Sequence, residues 1–95
     1  MTDQSINTAL AILKTRLNRM QSDTSIDETA LLPRLRGAVE ALRKNGIDLQ
    51  DTPDDVVLLA DYAAWRYQNR DSPEEMPKWL RTLRRERFLH TGGGA

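Results

Sequence analysis

The sequence contains no cysteine, a single histidine, and no apolar run longer than five residues, as in Val56 to Ala60. Without cysteine there is no disulfide, thiol nucleophile or iron–sulfur ligand to consider, and a reducing cytosol is compatible with that composition. Five apolar residues fall far short of the roughly 20 that a helix needs to cross a bilayer. The opening "MTDQSINTAL" has an acid ahead of its first apolar positions and no basic n-region, so a signal peptide is not expected there. Phosphate-loop, serine-triad and zinc-ligand spacings are missing, as is any internal repeat. The only histidine, His90, adjoins the polar tail "TGGGA", where a solvated side chain is expected in place of a catalytic base. These absences leave no catalytic, metal-binding or cofactor-binding residues to name, and an enzyme is not expected. One soluble intracellular domain over residues 1–90, with a flexible tail over 91–95, is the expectation.

A charge of one sign is also missing, since 14 cations balance 14 anions. The balance hides a strong asymmetry. Residues 1–46 carry seven cations against five anions, residues 47–75 two against eight, and residues 76–95 five against one. An acidic block therefore precedes a basic one. Such blocks can fold onto each other or meet those of a neighbouring copy, whereas nucleic-acid binders are more often basic overall.

The apolar pattern predicts an all-α fold, a small bundle of about four helices, with no convincing strand. Ile6, Leu10, Leu13, Leu17 and Met20 recur at spacings of four and three, which predicts a first helix from about Ser5 to Met20. A second opens at "SIDE", where Ser25 and Glu28 have capping-box spacing. It continues through Leu31, Leu35, Ala38 and Leu42, and Pro33 either kinks it or marks the start of its regular part near Leu32. Gly46, with Ile47 folding back behind it, predicts a Schellman-type stop. The third start is the clearest local signal. In "TPDD", Thr52 is a good N-cap, Pro53 suits the first helical position, and Asp54 and Asp55 face the positive end of the helix dipole. A nearly all-apolar central helix over about 53–69 follows, with Leu59, Tyr62 and Trp65 as core candidates. "RDSPEEMP" reads as a connector, and a short basic helix over about 77–89 closes the fold.

That last helix gathers five cations and one anion in the thirteen residues "MPKWLRTLRRERF". At 100° per residue, Met76, Trp79, Leu80 and Leu83 form one arc that is predicted to dock on the core. Lys78, Arg81, Arg84 and Arg85 lie opposite, with Phe88 among them, while Arg87 falls back toward the arc, where it snorkels or meets an acid of the central helix. A solvated cationic face is the plain reading. A contact surface is the sharper one, because Phe88 amid cations exposes a large ring without structural return. Nucleic acid is one candidate partner, disfavoured by the neutral chain and by a connector too long for a helix-turn-helix corner. A membrane surface is disfavoured because the narrow apolar arc is needed for the core. "DLQDTPDD" lacks the central glycine and closing glutamate of an EF-hand loop. Asp61, alone on the apolar helix, is expected to pair with an arginine, within the fold or across subunits.

An acidic helix start, a central helix "LLADYAAWRYQNRD", then "MP" and a short basic helix "KWLRTLRRERF" together resemble the small head–tail connector proteins of long-tailed phages, also called head-completion or adaptor proteins. The resemblance spans roughly residues 31–88 and rests on motif order, not on a catalytic signature. It implies a non-enzymatic virion protein, assembled in the host bacterial cytoplasm and located in the virion neck. Such proteins form a ring, often twelvefold, beneath the portal, extending the channel used in DNA packaging and docking the next neck or tail protein. Pro33 and the arginine density at "RRER" depart from the pattern. Head-to-tail rings need two different faces on each subunit. On that resemblance Arg81, Arg84 and Arg85 are expected to meet Asp48, Asp51, Asp54 or Asp55 of a neighbouring copy, with Lys78 and Phe88 on the same assembly surface, turned toward a neighbour or the portal, and non-specific DNA contact in the channel left open. Two alternatives from other classes remain: a small helical DNA-binding regulator and a helical module for one protein partner.

Overall fold

Helix-start chemistry organises the structure, a computed structural model that describes residues 1–69 and 76–90, His90 by its backbone alone. Much of the expected connector and the expected tail lie outside the described residues. Four helices form the regular structure among the described residues: α1 (Asp3–Arg16), α2 (Leu32–Lys44), α3 (Pro53–Gln68) and α4 (Lys78–His90). No strand occurs among them, and no helix is long and apolar enough to cross a membrane.

α3 begins as its sequence predicts. Thr52 Oγ1 accepts the amide of Asp55 at 3.3 Å, and Pro53 takes the first turn, where its missing N–H leaves no bond unmade. α1 starts the same way, with Thr2 Oγ1 accepting the Ser5 amide at 3.2 Å. Asp51 then binds the two starts together, its Oδ1 accepting the Thr2 amide at 2.8 Å and the Thr2 hydroxyl at 3.2 Å.

Two predicted boundaries need correction. α1 stops at Arg16, four residues before Met20, because Asn18 enters the left-handed region at φ 58° and the chain turns back. Met20 is consequently exposed. A polar clasp holds the turn: Lys14, buried, donates from Nζ to the Gln21 carbonyl at 2.8 Å and to Asp27 Oδ2 at 3.1 Å. Ser25 does not cap α2, since its amide and hydroxyl both go to Asp23 Oδ1, at 3.1 and 2.7 Å. A π-helical turn at Asp27–Leu31 intervenes, in which the Leu31 amide reaches five residues back to the Ile26 carbonyl at 3.0 Å. α2 proper starts at Leu32, the second of the two outcomes expected at Pro33, which lies in the first turn and kinks nothing.

The stop of α2 follows expectation. Gly46, at φ 87°, donates to the Arg43 carbonyl at 3.0 Å, while Ile47 donates to the Leu42 carbonyl at 2.9 Å and is itself buried. That is the double bond pattern of a Schellman motif.

α3 packs against α1, α2 and α4, which makes it the centre of the bundle. Leu59, Ala60 and Ala63 on α3 meet Ala9 and Leu13 of α1 and the Leu31, Leu35, Ala38 and Leu42 stripe in one core. Small side chains on α3 let the neighbouring backbones approach closely. Each fully buried leucine contributes about 2 kcal/mol of transfer free energy. A Cα radius of gyration of 13.0 Å agrees with the roughly 13 Å of a compact chain of about 100 residues.

Candidate interaction surface

α4 is fastened to the bundle at three points. Leu80 is completely buried. Phe88, half-buried, lays its ring over Gly46, where a Cβ would stand 2.6 Å from Phe88 Cε2. The glycine thus terminates α2 and also leaves room for the ring. The third point is ionic. Arg87 donates from Nε to Asp55 Oδ1 at 2.5 Å and from Nη2 to Asp55 Oδ2 at 2.9 Å, and again from Nη2 to the Asp48 carbonyl at 2.8 Å. Asp55 also accepts the Gln50 amide at 2.7 Å. The paired carboxylate raises the Arg87 pKa further above its already high value, against the desolvation of partial burial. Bidentate geometry makes this a strong, directional joint.

These anchors correct the predicted docking arc. Leu80, Arg84, Arg87 and Phe88 fall within roughly 100° of the helix circumference, and this is the face turned inward. Leu80 is buried and Met76 half-buried, but Trp79 is 55% exposed and Leu83 39% exposed, so neither belongs to the core. On α3, Leu59 and Tyr62 are buried and Trp65 is half-buried, its ring stacked on Tyr62 with centroids 6.3 Å apart. Phe88 thus has a structural role against Gly46 in place of the exposed ring expected among the cations.

The cations come together as expected of one helix face. Lys78, Arg81, Arg84 and Arg85 line an open cleft of about 540 Å³ with Asn45, Ile47 and Phe88, between α4 and the end of α2. Lys78, Arg81 and Arg85 are exposed and Arg84 is half-buried. The four acids do not form a matching unit. Asp55 is buried against Arg87, which removes it from any assembly surface. Asp51 is engaged by Thr2, whose amide and hydroxyl, with the Ser5 hydroxyl, hold its carboxyl below the ordinary value of 3.8. Asp48 and Asp54 are exposed. Among the described residues, no three His, Cys, Asp or Glu side chains converge as metal ligands do.

Asp61 has the partner type expected of it: Arg16 donates from Nε to Asp61 Oδ1 at 2.8 Å, within the fold. The pair joins α1 to α3. Arg34 over the Tyr67 ring, 5.2 Å from its centroid, ties α2 to α3 in a similar way. The Lys14–Asp27 clasp carried no signal in the sequence, because the two residues meet only once the intervening loop has folded.

A second surface emerges that the residue pattern did not single out. Along the α3–α4 edge, Val57, Leu58 and Leu83 line a groove of about 340 Å³ with Asp54 and Glu86. Val57 and Leu83 are exposed large apolar residues, as is Leu89 on another side of α4. Acids beside this strip have the wrong sign for anionic lipid headgroups, which argues against a membrane surface on different grounds from those given above. No protein-family model, curated protein or solved structure matches this chain.

Proposed function

We propose that this protein is a non-enzymatic structural subunit of the phage head–tail connector type, forming a ring beneath a portal and docking a neck or tail protein. The observation that carries the reading is the mounting of α4. One narrow face, made of Leu80, Arg87 and Phe88, holds the helix to the bundle. Lys78, Arg85 and the Trp79–Leu83 strip are exposed on its other sides. A helix mounted in this way suits contact with something outside the subunit. The motif order "LLADYAAWRYQNRD", "MP", "KWLRTLRRERF" supports the connector identity of that contact. The working location is then the virion neck, reached from the host cytoplasm. DNA in the channel meets the cations without sequence readout, as backbone phosphates would.

Reversing charge at Arg81 and Arg85 tests the assembly role, because both side chains are exposed and their replacement leaves the core intact. The doubly reversed protein should retain wild-type helicity by circular dichroism and lose assembly by sedimentation velocity. Wild-type assembly of that variant would remove the role. The DNA-binding regulator draws on the same cationic cleft. It requires the isolated protein to bind duplex with an affinity that falls steeply as salt rises. Phe88 already spends one edge of its ring on Gly46, which weighs against a base-stacking role.

A further inference from the structure

The α3–α4 groove and the far edge of α4 are complementary surfaces of one molecule. The groove has an apolar floor of Val57, Leu58 and Leu83 and an acidic rim of Asp54 and Glu86; its other two charges, Asp55 and Arg87, cancel in their own ion pair. The far edge carries Arg81, Arg85 and Leu89, all exposed, with Leu89 at 56%. Arg85 and Leu89 are one helical turn apart and so share a stripe. Around the helix they sit roughly 120–160° from Leu83, on a different side. Leu89 stands at the end of a cationic stripe, with Arg85 one turn back on one side and Glu86 on the other, and an apolar groove with an acidic rim would accept its apolar tip and that stripe.

We infer that the groove receives the Arg81–Arg85–Leu89 edge of a second copy of this chain, Leu89 entering between Val57 and Leu83 while Arg85 faces Glu86 or Asp54. This deepens the connector reading and rests on it, since it names the two faces through which neighbouring subunits meet. Because donor and acceptor surfaces differ, one such contact leaves the pair with one free edge on one copy and one free groove on the other. Repetition of the contact from copy to copy builds a ring or a filament. The acidic rim disfavours nucleic acid as the occupant, and the net negative groove disfavours an acidic peptide.

Two single variants, each unable to self-associate for a different reason, make the test. Glu86→Arg spoils the groove and leaves the edge; Arg85→Glu spoils the edge and leaves the groove. Each alone should run as a monomer in sedimentation velocity, with unchanged circular dichroism. Mixed in equal amounts, they should form a species of twice the monomer mass and nothing larger, because one intact edge can fill one intact groove. Leu83→Asp in place of Glu86→Arg should give the same result. If wild type assembles and either single variant assembles equally well, the groove contact is wrong while the connector reading stands. If the variants are monomeric but their mixture is too, the contact is not between these two surfaces. A wild-type protein that stays monomeric at every concentration overturns this contact and spontaneous assembly together.

Discussion

Replacing Arg87 by methionine keeps most of the apolar stem and removes the guanidinium that fastens α4 to α3. Three hydrogen bonds are lost, two to a carboxylate that is 3% exposed and one to the Asp48 carbonyl. Breaking a fully buried pair by removing one partner costs about 3–5 kcal/mol. The loss here should be smaller for two reasons. Asp55 keeps the Gln50 amide and stays in the first turn of α3, where the helix dipole favours an anion. Arg87 itself is 17% exposed, so water already solvates part of it. A loss of about 2–3 kcal/mol is the expected result, against a total near 5–15 kcal/mol for a domain. For a chain of this size that lowers Tm by roughly 10–20 °C. Arg43→Met is the control, because Arg43 pairs with Glu40 on the exposed surface of α2 and should lose no more than about 0.5 kcal/mol. Urea unfolding followed by far-UV circular dichroism compares the two. Equal midpoints for Arg87→Met and Arg43→Met would refute the idea that this pair holds α4 in place.

Gly46→Ala should destabilise by about 1–3 kcal/mol, through strain at φ 87° and through displacement of the Phe88 ring, and thermal unfolding checks it. Phe88→Ala in that background should recover little of the loss if backbone strain dominates, and most of it if the ring contact does. Leu80→Ala should cost about 2–5 kcal/mol, whereas Trp79→Ala, at an exposed site, should stay within about 0.5 kcal/mol. Asp51 adds a pH dependence. Its folded pKa is depressed, so its stabilisation is present above the ordinary value of 3.8 and is lost as pH falls through the lower folded value. Asp51→Asn should therefore flatten the acid side of the stability profile measured by urea midpoints from pH 6 downward.

Features set by neighbouring residues were legible in the sequence. "TPDD" carries its own cap, its proline and its dipole complement, and α3 begins there without reference to the rest of the fold. Gly46 announces the end of α2 for the same reason. The Leu31–Leu42 stripe is buried along its whole length. Of features set by distant partners, only the kind of partner for Asp61 and Arg87 was legible. Periodicity carried α1 on to Met20, since nothing local reveals that Lys14 will close over Gln21 and Asp27. Ser25 and Glu28 have the spacing of a capping box, yet Asp23 takes the Ser25 donors first.

The docking arc of α4 was misjudged in an instructive way. Trp79 and Leu83 are its larger apolar residues toward one side, so a count of hydrophobicity turns that side inward. The helix instead faces α3 with Leu80 and Arg87, because Asp55 offers a buried carboxylate that Arg87 grips with two hydrogen bonds. Arg87 meets an acid of the central helix, one of the two placements its position beside the arc predicts, and there it is part of the packing. Its rotation of the arc exposes Trp79 and Leu83, and opens the groove that sequence reasoning missed. Asp55 shows the converse: an acid assigned to a contact between subunits is consumed within one.

The mass of the purified wild-type protein, by light scattering behind size exclusion at ~0.05 M and ~1 M salt, tests the central claim most directly. The screening length shortens from about 14 Å to about 3 Å over that range, so exposed ionic contacts between subunits weaken severely. A discrete large oligomer at low salt that dissociates at high salt is the predicted result. A monomer at every salt concentration would contradict self-assembly through the charged faces of α4.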